Sequence, residues 1–439
     1  MSLASDLSPS RCGRFVFVTA VGLFVAITAW LVLGHRFYEL EHLGIATMQP
    51  RFVDAHVISG AGASLARGCD PLVDNPGDPL GRAMNYPRLW LLPAMAGLDV
   101  QHTWVLVAAF LAMFGVGVLC LVPLARTRGT ALLLAAVLFS PVAWLAVERG
   151  NCDLLMFGLV AIAAWSVARS PRLAATCLGA AAALKLYPVF AVVGLLVDGG
   201  RAARRRVLGL LLAFAAYAWW SRSDLAAIRE HTYHWARLGY GIDQLPESLA
   251  ASMGWSVATV WAVGVALLVA ALVGGVVLRS RRQVAAASPH AIAAFRMGAG
   301  IYVGSFCLGS NFDYRLVFLM LTVPQLVAWA TAARGVVRVV GMVLIALIVT
   351  MVWGMTWRLW LQLAGGADGA GNGFDEVASW LLAAGLLPAL VVSAPAALVP
   401  QRWREVPDLF DQVRANVVGL PLRAGGAGKD REIHHIGVG

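Results

Sequence analysis

Eleven long apolar runs constrain the fold of this chain more than any other feature of its sequence. They lie at residues 15–34, 103–125, 130–147, 154–168, 173–197, 207–220, 254–278, 291–309, 316–333, 336–357 and 377–399. A helix needs roughly 17–25 apolar residues to cross the hydrocarbon of a bilayer. Because 59% of the 439 residues are hydrophobic and only 13% are charged, one water-soluble core with a solvated surface is excluded. The runs predict an all-α polytopic membrane protein.

The fifth run, residues 173–197, predicts a break inside the membrane. If this run crossed only once, the basic clusters that flank it would face opposite sides, against the bias of Lys and Arg toward the cytoplasm. Pro188 cannot donate a helix hydrogen bond and disfavours helical geometry at Tyr187. A split there gives twelve membrane helices with both termini in the cytoplasm. Basic loops then lie mostly inside and acidic loops mostly outside.

The charge distribution favours a topological explanation over nucleic-acid binding. The net charge is +10, but the basic residues form short clusters between apolar runs and are not gathered on one domain. We expect a single transmembrane domain over residues 1–400, with large extracytoplasmic loops at 35–102 and 221–253. Residues 401–439 are expected to form a cytoplasmic, partly disordered tail. Membrane lipids are expected partners, and nucleic acid is not.

Charged and amide side chains interrupt the apolar runs at two places. The motif ERGNCD at residues 148–153 precedes the fourth run, and ALKLYP at 183–188 breaks the fifth. An ionisable group at membrane depth loses solvation unless a partner, a wet cavity or a ligand compensates. Both motifs are therefore candidates for a functional site.

These motifs resemble those of glycosyltransferase family 87, polyprenol-phosphate-sugar-dependent transferases of the GT-C membrane superfamily whose best-known members are mannosyltransferases. The likeness rests on Asp54 shortly after the first membrane helix, NYP at residues 85–87, RGNxD at 149–153 and KLYP at 185–188. It implies a GT-C-like bundle of about twelve transmembrane helices. It also implies transfer of a hexose, with mannose the first expectation, from a polyprenyl phosphate to a glycolipid or cell-envelope glycan. The expected location is the extracytoplasmic side of the cell membrane.

The resemblance also implies which side chains contact the sugar or the acceptor. The residues that match its motifs are Tyr86, Asn151, Asp153 and Tyr187.

Transfer from a lipid-linked sugar requires a base for the acceptor hydroxyl and cations for the leaving phosphate. Asp54 is the base candidate, because a carboxylate within hydrogen-bond reach can deprotonate the attacking hydroxyl. Capping of a helix is the alternative for this residue. Arg149, Lys185 and Arg315 are the phosphate candidates, since Arg grips phosphate oxygens bidentately and Lys offers a point charge. Structural ion pairs, such as that of Arg149 with Glu148, are the alternative.

The NFDYR motif at residues 311–315 lies between two later apolar runs. Its amide and carboxylate groups, Asn311 and Asp313, suit sugar hydroxyls, and a solvated connector is the alternative. Neither a metal nor another cofactor is expected. Asp70, Asp74 and Asp78 are separated by prolines, which predicts solvated turns and no shared metal-binding face.

Two other classes of protein are compatible with parts of the pattern. A transporter or flippase for lipid-linked glycans would place Lys185 on a substrate or proton pathway. Against it, the sequence has no visible repeated half, and its polar residues concentrate on one face of the membrane. An O-antigen polymerase or ligase would carry its dominant outside loop late in the chain, whereas here the largest loop follows the first helix.

Overall fold

The backbone of the protein, described in a computed structural model, is almost entirely helical. The structure describes residues 9–232, 239–281, 287–309, 311–332, 335–365 and 370–398. The predicted tail at 401–439 lies outside these ranges. Within them the α-helices are α1 (Pro9–Leu33), α2 (Val53–Ala66), α3 (Leu92–Met95), α4 (Thr103–Leu121), α5 (Arg128–Leu138), α6 (Pro141–Arg149), α7 (Asp153–Ser166), α8 (Pro171–Lys185), α9 (Arg201–Trp220), α10 (Arg222–His231), α11 (Gln244–Met253), α12 (Val257–Arg281), α13 (Pro289–Cys307), α14 (Val323–Ala332), α15 (Val336–Val352), α16 (Gly354–Leu363) and α17 (Ala370–Ser393).

Shorter elements connect these helices. Two strands of two residues each, β1 (Gly239–Tyr240) and β2 (Asn311–Phe312), pair antiparallel. The 3-10 helices are Phe37–Leu43, Arg88–Leu91, Val100–His102, Val122–Leu124, Tyr187–Leu195, Asp313–Thr322 and Ala396–Leu398.

Five helical segments of the described chain are long and apolar enough to cross a membrane. They are Ser10–Leu33, Val100–Leu124, Val257–Val277, Asp313–Thr331 and Gly373–Ser393. The pairs α5/α6 and α15/α16 bend by 42° and 65°, and they raise the number to seven if each pair is one span. The all-α membrane class is confirmed, while a count of twelve stays a prediction. Several apolar runs fold as short helices such as α7, which has only 14 residues.

The outer faces of α1 and α12 are apolar. Leu23 and Trp30 on α1, and Val263 and Leu267 on α12, are exposed on the protein surface. Lipid tails are as apolar as these side chains, so a bilayer accommodates such faces without the cost that water would impose. The two helices thus have the surface that membrane-facing helices require.

The predicted break in the fifth apolar run is confirmed. Helix α8 ends at Lys185, and the chain continues as a 3-10 helix over Tyr187–Leu195. Leu186, between them, has a φ of 49°, which is sterically unfavourable for a residue with a Cβ. Pro188 follows in the first turn and lacks the N–H that a continuous helix would need.

The ends of several elements meet at one place in the helical core. Helix α7 packs against both α4 and α8, and α13 packs against the 3-10 helices Tyr187–Leu195 and Asp313–Thr322. Phe157 on α7 fixes the centre of this packing, because its ring lies 5.1 Å from that of Phe114 and 5.9 Å from that of Phe318. Polar residues at the element ends are thereby brought together.

Candidate functional site

The turn between α6 and α7 carries three of the predicted site residues, Arg149, Asn151 and Asp153. Gly150 ends α6 in the left-handed conformation, with a φ of 58°. A Cβ at Gly150 would lie 2.8 Å from the Cβ of Phe52, so glycine allows the start of α2 to approach this turn. The Asn151 Oδ1 atom accepts the backbone N–H of Asp153 at 2.9 Å and so holds the first residue of α7.

Asp54 lies in the first turn of α2 and is the accessible carboxylate of the site. Its Oδ2 atom accepts a 2.6 Å hydrogen bond from Asn151 Nδ2, and its Oδ1 atom lies 3.5 Å from Arg82 Nη1. Arg82 is itself bound to Asp78 by two hydrogen bonds of 3.0 Å. The Asp54 side chain is 18% exposed. The capping alternative does not apply, since the N-cap position of α2 is Phe52.

Behind Asp54 lies a buried cluster centred on Asp153, whose side chain is 0% exposed. The ammonium of Lys185 and the hydroxyl of Tyr187 both bind Asp153 Oδ1, at 2.6 Å and 2.7 Å. Arg315 Nε lies 3.8 Å from Asp153 Oδ2. Lys185 also donates to Asn151 Oδ1 at 3.0 Å. One carboxylate and two cations leave this cluster with one excess positive charge.

A cavity of about 410 Å³ opens beside Asp54. Its wall includes Asp54, Arg82, Tyr86, Arg149, His231 and Tyr314. A cavity of this size is in the range of pockets that hold small ligands. It brings the predicted base and one predicted phosphate-binding arginine to a common space.

Two tyrosines separate the buried cluster from the cavity. The Lys185 ammonium lies 5.2 Å from the centre of the Tyr86 ring and 5.5 Å from that of the Tyr314 ring. These distances allow cation–π attraction. The wall contains both tyrosines but not Lys185 or Arg315. Burial raises the pKa of the Tyr86 phenol well above its ordinary value, so the phenol stays protonated and can act as a hydrogen-bond donor.

Arg149 is 5% exposed and incompletely satisfied. Its Nη2 atom donates to the Ala46 carbonyl at 2.9 Å, and its Nε lies 3.2 Å from Glu148 Oε2. The ion pair with Glu148 that the sequence allowed is therefore present. The buried Nη1 atom has no hydrogen-bond partner within the described ranges. An unsatisfied buried donor is costly, and Arg149 also belongs to the cavity wall.

Asn311 and Asp313 are engaged away from the cavity. Asn311 Nδ2 donates two hydrogen bonds of 2.7 Å to backbone carbonyls of preceding residues. Asp313 lies 3.2 Å from Arg358 Nη2. The neighbouring rings of Phe312 and Tyr314 line the cavity instead. The motif therefore contributes aromatic surface to the cavity, and its polar groups stabilise the surrounding structure.

Arg82 and Asp78 were missed as site residues by the sequence analysis. The prediction of a solvated turn is wrong for Asp78, which is 4% exposed because it holds the guanidinium of Arg82. The spacing of four residues between an acid and a base was the signal that could have found this pair. His231, at the end of α10, also lines the cavity.

Comparison with known proteins gives one family match. The model of glycosyltransferase family 87 matches residues 86–310, just over half of the chain. This range includes Arg149, Asn151 and Lys185, whereas Asp54 lies before it. No curated protein and no solved structure matches the chain.

Proposed function

Because the chain belongs to glycosyltransferase family 87 and is a membrane glycosyltransferase, we propose that it transfers a hexose, with mannose the first expectation, from a polyprenyl phosphate. The proposed acceptor is a glycolipid or a cell-envelope glycan on the extracytoplasmic side of the cell membrane. One observation carries the proposal. A partly exposed carboxylate, Asp54, and a buried arginine with a free N–H, Arg149, line the same cavity.

In the proposed reaction the acceptor oxygen attacks the anomeric carbon of the donor sugar while the bond from that carbon to the phosphate oxygen breaks. Asp54 takes the hydroxyl proton. The bonding electron pair leaves with the polyprenyl phosphate, which gains one negative charge. Attack from the face opposite the leaving group inverts the anomeric configuration.

The hydrogen bonds of Asp54 favour one of its oxygens as the proton acceptor. Oδ2 is occupied by Asn151 Nδ2, whereas Oδ1 faces Arg82 Nη1 at 3.5 Å, which is too long for a strong hydrogen bond. Asp78 accepts hydrogen bonds from Nε and Nη2 of Arg82 and offsets much of its charge. Oδ1 is thus the better placed oxygen to receive the proton.

The donor phosphate is proposed to contact Arg149 directly. A phosphodiester carries one negative charge, and the free N–H of this arginine would bind it more strongly as charge builds up on the leaving oxygen. Lys185 and Arg315 are proposed to stabilise the leaving phosphate from behind Tyr86 and Tyr314, without contacting it. Their two positive charges exceed the single negative charge of Asp153 by one. In this proposal, side chains supply the positive charge that stabilises the leaving phosphate. The Tyr86 phenol is proposed to contact the sugar.

A transfer assay tests the proposed function. Purified protein in nanodiscs would be given mannosyl polyprenyl phosphate and glycolipids extracted from cells that lack the protein. We expect a hexosylated glycolipid as the product. No transfer from any polyprenyl-phosphate hexose, or passage of the donor across the bilayer without transfer, would contradict the proposal.

Replacing Arg149 by Gln should raise the KM for the lipid-linked donor by about tenfold or more. A hydrogen bond to a charged group contributes about 1.5–3 kcal/mol, and each 1.4 kcal/mol is a factor of ten. Donor titrations of the wild type and the variant measure the change. Arg36→Gln is the control and should leave the KM unchanged, because Arg36 is exposed and lies outside the cavity wall. An unaltered KM in Arg149→Gln would remove this residue from the phosphate site.

The proposed extracytoplasmic position of the site predicts opposite labelling of two exposed positions. Val73 lies in the first large loop and Arg204 in the basic first turns of α9. With the six natural cysteines replaced, Val73→Cys should react with an impermeant maleimide in intact cells, and Arg204→Cys only after permeabilisation. Equal reaction of both in intact cells would refute the topology.

A further inference from the structure

We propose that Asn151 is a positioning residue for the base, and that Lys185 and Asp153 act on Asp54 through its amide. This inference rests on the proposed base role of Asp54. It assigns Asn151 to the orientation of a carboxylate, whereas the family resemblance implied a contact with sugar or acceptor.

The orientation of the Asn151 amide is fixed by its neighbours. Oδ1 accepts from two donors, the Lys185 ammonium at 3.0 Å and the backbone N–H of Asp153 at 2.9 Å. A carbonyl oxygen has two lone pairs, so both are used. Because those two groups can only donate, the oxygen of the amide must face them and the nitrogen must face Asp54. Nδ2 then donates to Asp54 Oδ2 at 2.6 Å.

Burial makes this arrangement rigid. Asn151 is 0% exposed, and it lies in the tight turn that Gly150 makes between α6 and α7. Asp54 belongs to α2, which is 97 residues away in the chain. The Asn151 amide therefore ties the position of the Asp54 carboxylate to that of α7 and of the end of α8.

The hydrogen bond from Asn151 decides which way the Asp54 carboxylate turns. Without it, the nearest cation is Arg82 at 3.5 Å, and the carboxylate could rotate to form a closer ion pair. Oδ1 of Asp54 would then bind the guanidinium of Arg82 and would no longer face the cavity. A displacement of about 1 Å at a reacting group can lower the rate on the order of 10²-fold. Positioning by Asn151 thus has a kinetic consequence.

Lys185 strengthens the same bond. Its ammonium polarises the amide by binding the oxygen, which makes the nitrogen a better donor toward Asp54. Asp153 holds Lys185 at 2.6 Å and presents its own backbone N–H to the same oxygen. The two residues thus influence Asp54 without contacting a substrate.

Asn151→Asp tests the inference with almost no change in shape. It keeps an oxygen for Lys185 and for the Asp153 N–H, but it places a second oxygen where the donor to Asp54 was. We expect kcat to fall on the order of 10²-fold, with the KM values for donor and acceptor changed by less than about twofold. A raised KM with unchanged kcat would mean that Asn151 contacts substrate, and would overturn the inference.

Asn75→Asp is the matched control. Asn75 is also 0% exposed, and it holds the same helix α2 through the Val57 carbonyl at 3.1 Å and Ser64 at 2.6 Å. This variant should lose thermal stability while its kcat stays near that of the wild type. An equal loss of kcat in both variants would show that disturbance of α2 alone explains the effect, and would overturn the positioning role.

A double-mutant cycle separates this inference from the proposed function. In an Asp54→Ala background, Asn151→Asp should cause no further loss of kcat, because the group that it positions is gone. A fully additive loss would overturn the positioning role and leave the base role intact. Near-normal turnover by Asp54→Ala alone would instead overturn the proposed base, whatever the result at Asn151.

Discussion

Replacing Asp54 by Asn lowers the rate of hexose transfer by about 10²–10⁴-fold, the usual contribution of a general base, while the protein folds and binds its donor. Asn has nearly the same shape as Asp and cannot accept the proton of the attacking hydroxyl. Its amide oxygen can still accept the hydrogen bond from Asn151. Because the side chain is 18% exposed, the new amide N–H can be solvated in the cavity. The defect is therefore confined to the chemical step.

The measurement is kcat at saturating donor and acceptor, together with donor affinity and thermal stability of the same preparation. Asp74→Asn is the control, since Asp74 is an exposed carboxylate of the same predicted loop and should transfer normally when neutralised. Turnover of Asp54→Asn close to that of the wild type would exclude a base role. Loss of donor binding in Asp54→Asn would mean that the carboxylate also orients the donor.

The features that the sequence predicted well have local physical causes. The break after Lys185 follows from Pro188 and from a cation placed inside an apolar run, and both signals lie within a few residues of the break. The membrane class follows from composition. The number of membrane helices was harder to predict, because an apolar run of 15 residues can be a short span, half of a bent span or a buried core helix.

The partners of the site residues were harder to predict, because each depends on how distant elements pack. Lys185 was interpreted as a lone cation in need of an anion, and Asp153 as a sugar ligand, yet the two bind each other at 2.6 Å. The order of the helices does indicate that Lys185 and Asp153 lie close together. Helices α7 and α8 are consecutive and pack together, so the start of the first lies beside the end of the second. An acid at a helix start and a cation at a helix end also suit the two helix dipoles.

The site has an accessible part, at Asp54, and an enclosed part, at Asp153. The sequence did not predict this separation. Asp54 and Asp153 are both acids in the first turn of a helix, and in the structure they differ in burial. The Asp54 side chain is 18% exposed beside a cavity, whereas that of Asp153 is 0% exposed and bound by Lys185 and Tyr187. A single sequence does not contain the solvent exposure of two residues that lie 99 positions apart.

Replacing Lys185 by Met should destabilise the protein by about 3–5 kcal/mol, the usual effect of removing one partner from a buried ion pair. Asp153 would keep the hydroxyl of Tyr187, but its remaining cation would be Arg315 at 3.8 Å. Asn151 Oδ1 would lose one of its two donors. Met fills a similar volume, so the loss comes from the missing close charge partner of Asp153 and not from a cavity. The thermal midpoint of the variant in detergent measures the effect.

A second substitution identifies the cause of that loss. In the double variant Lys185→Met/Asp153→Asn the buried carboxylate is neutralised as well, so the combined loss of stability should be smaller than the sum of the two single losses. Additive losses would contradict a direct pair. If Lys185→Met instead kept its thermal midpoint and lost donor affinity, the ammonium would bind the donor phosphate itself. Because the 2.6 Å contact with Asp153 and the two tyrosine rings already surround this ammonium, we expect stability to be the property that changes.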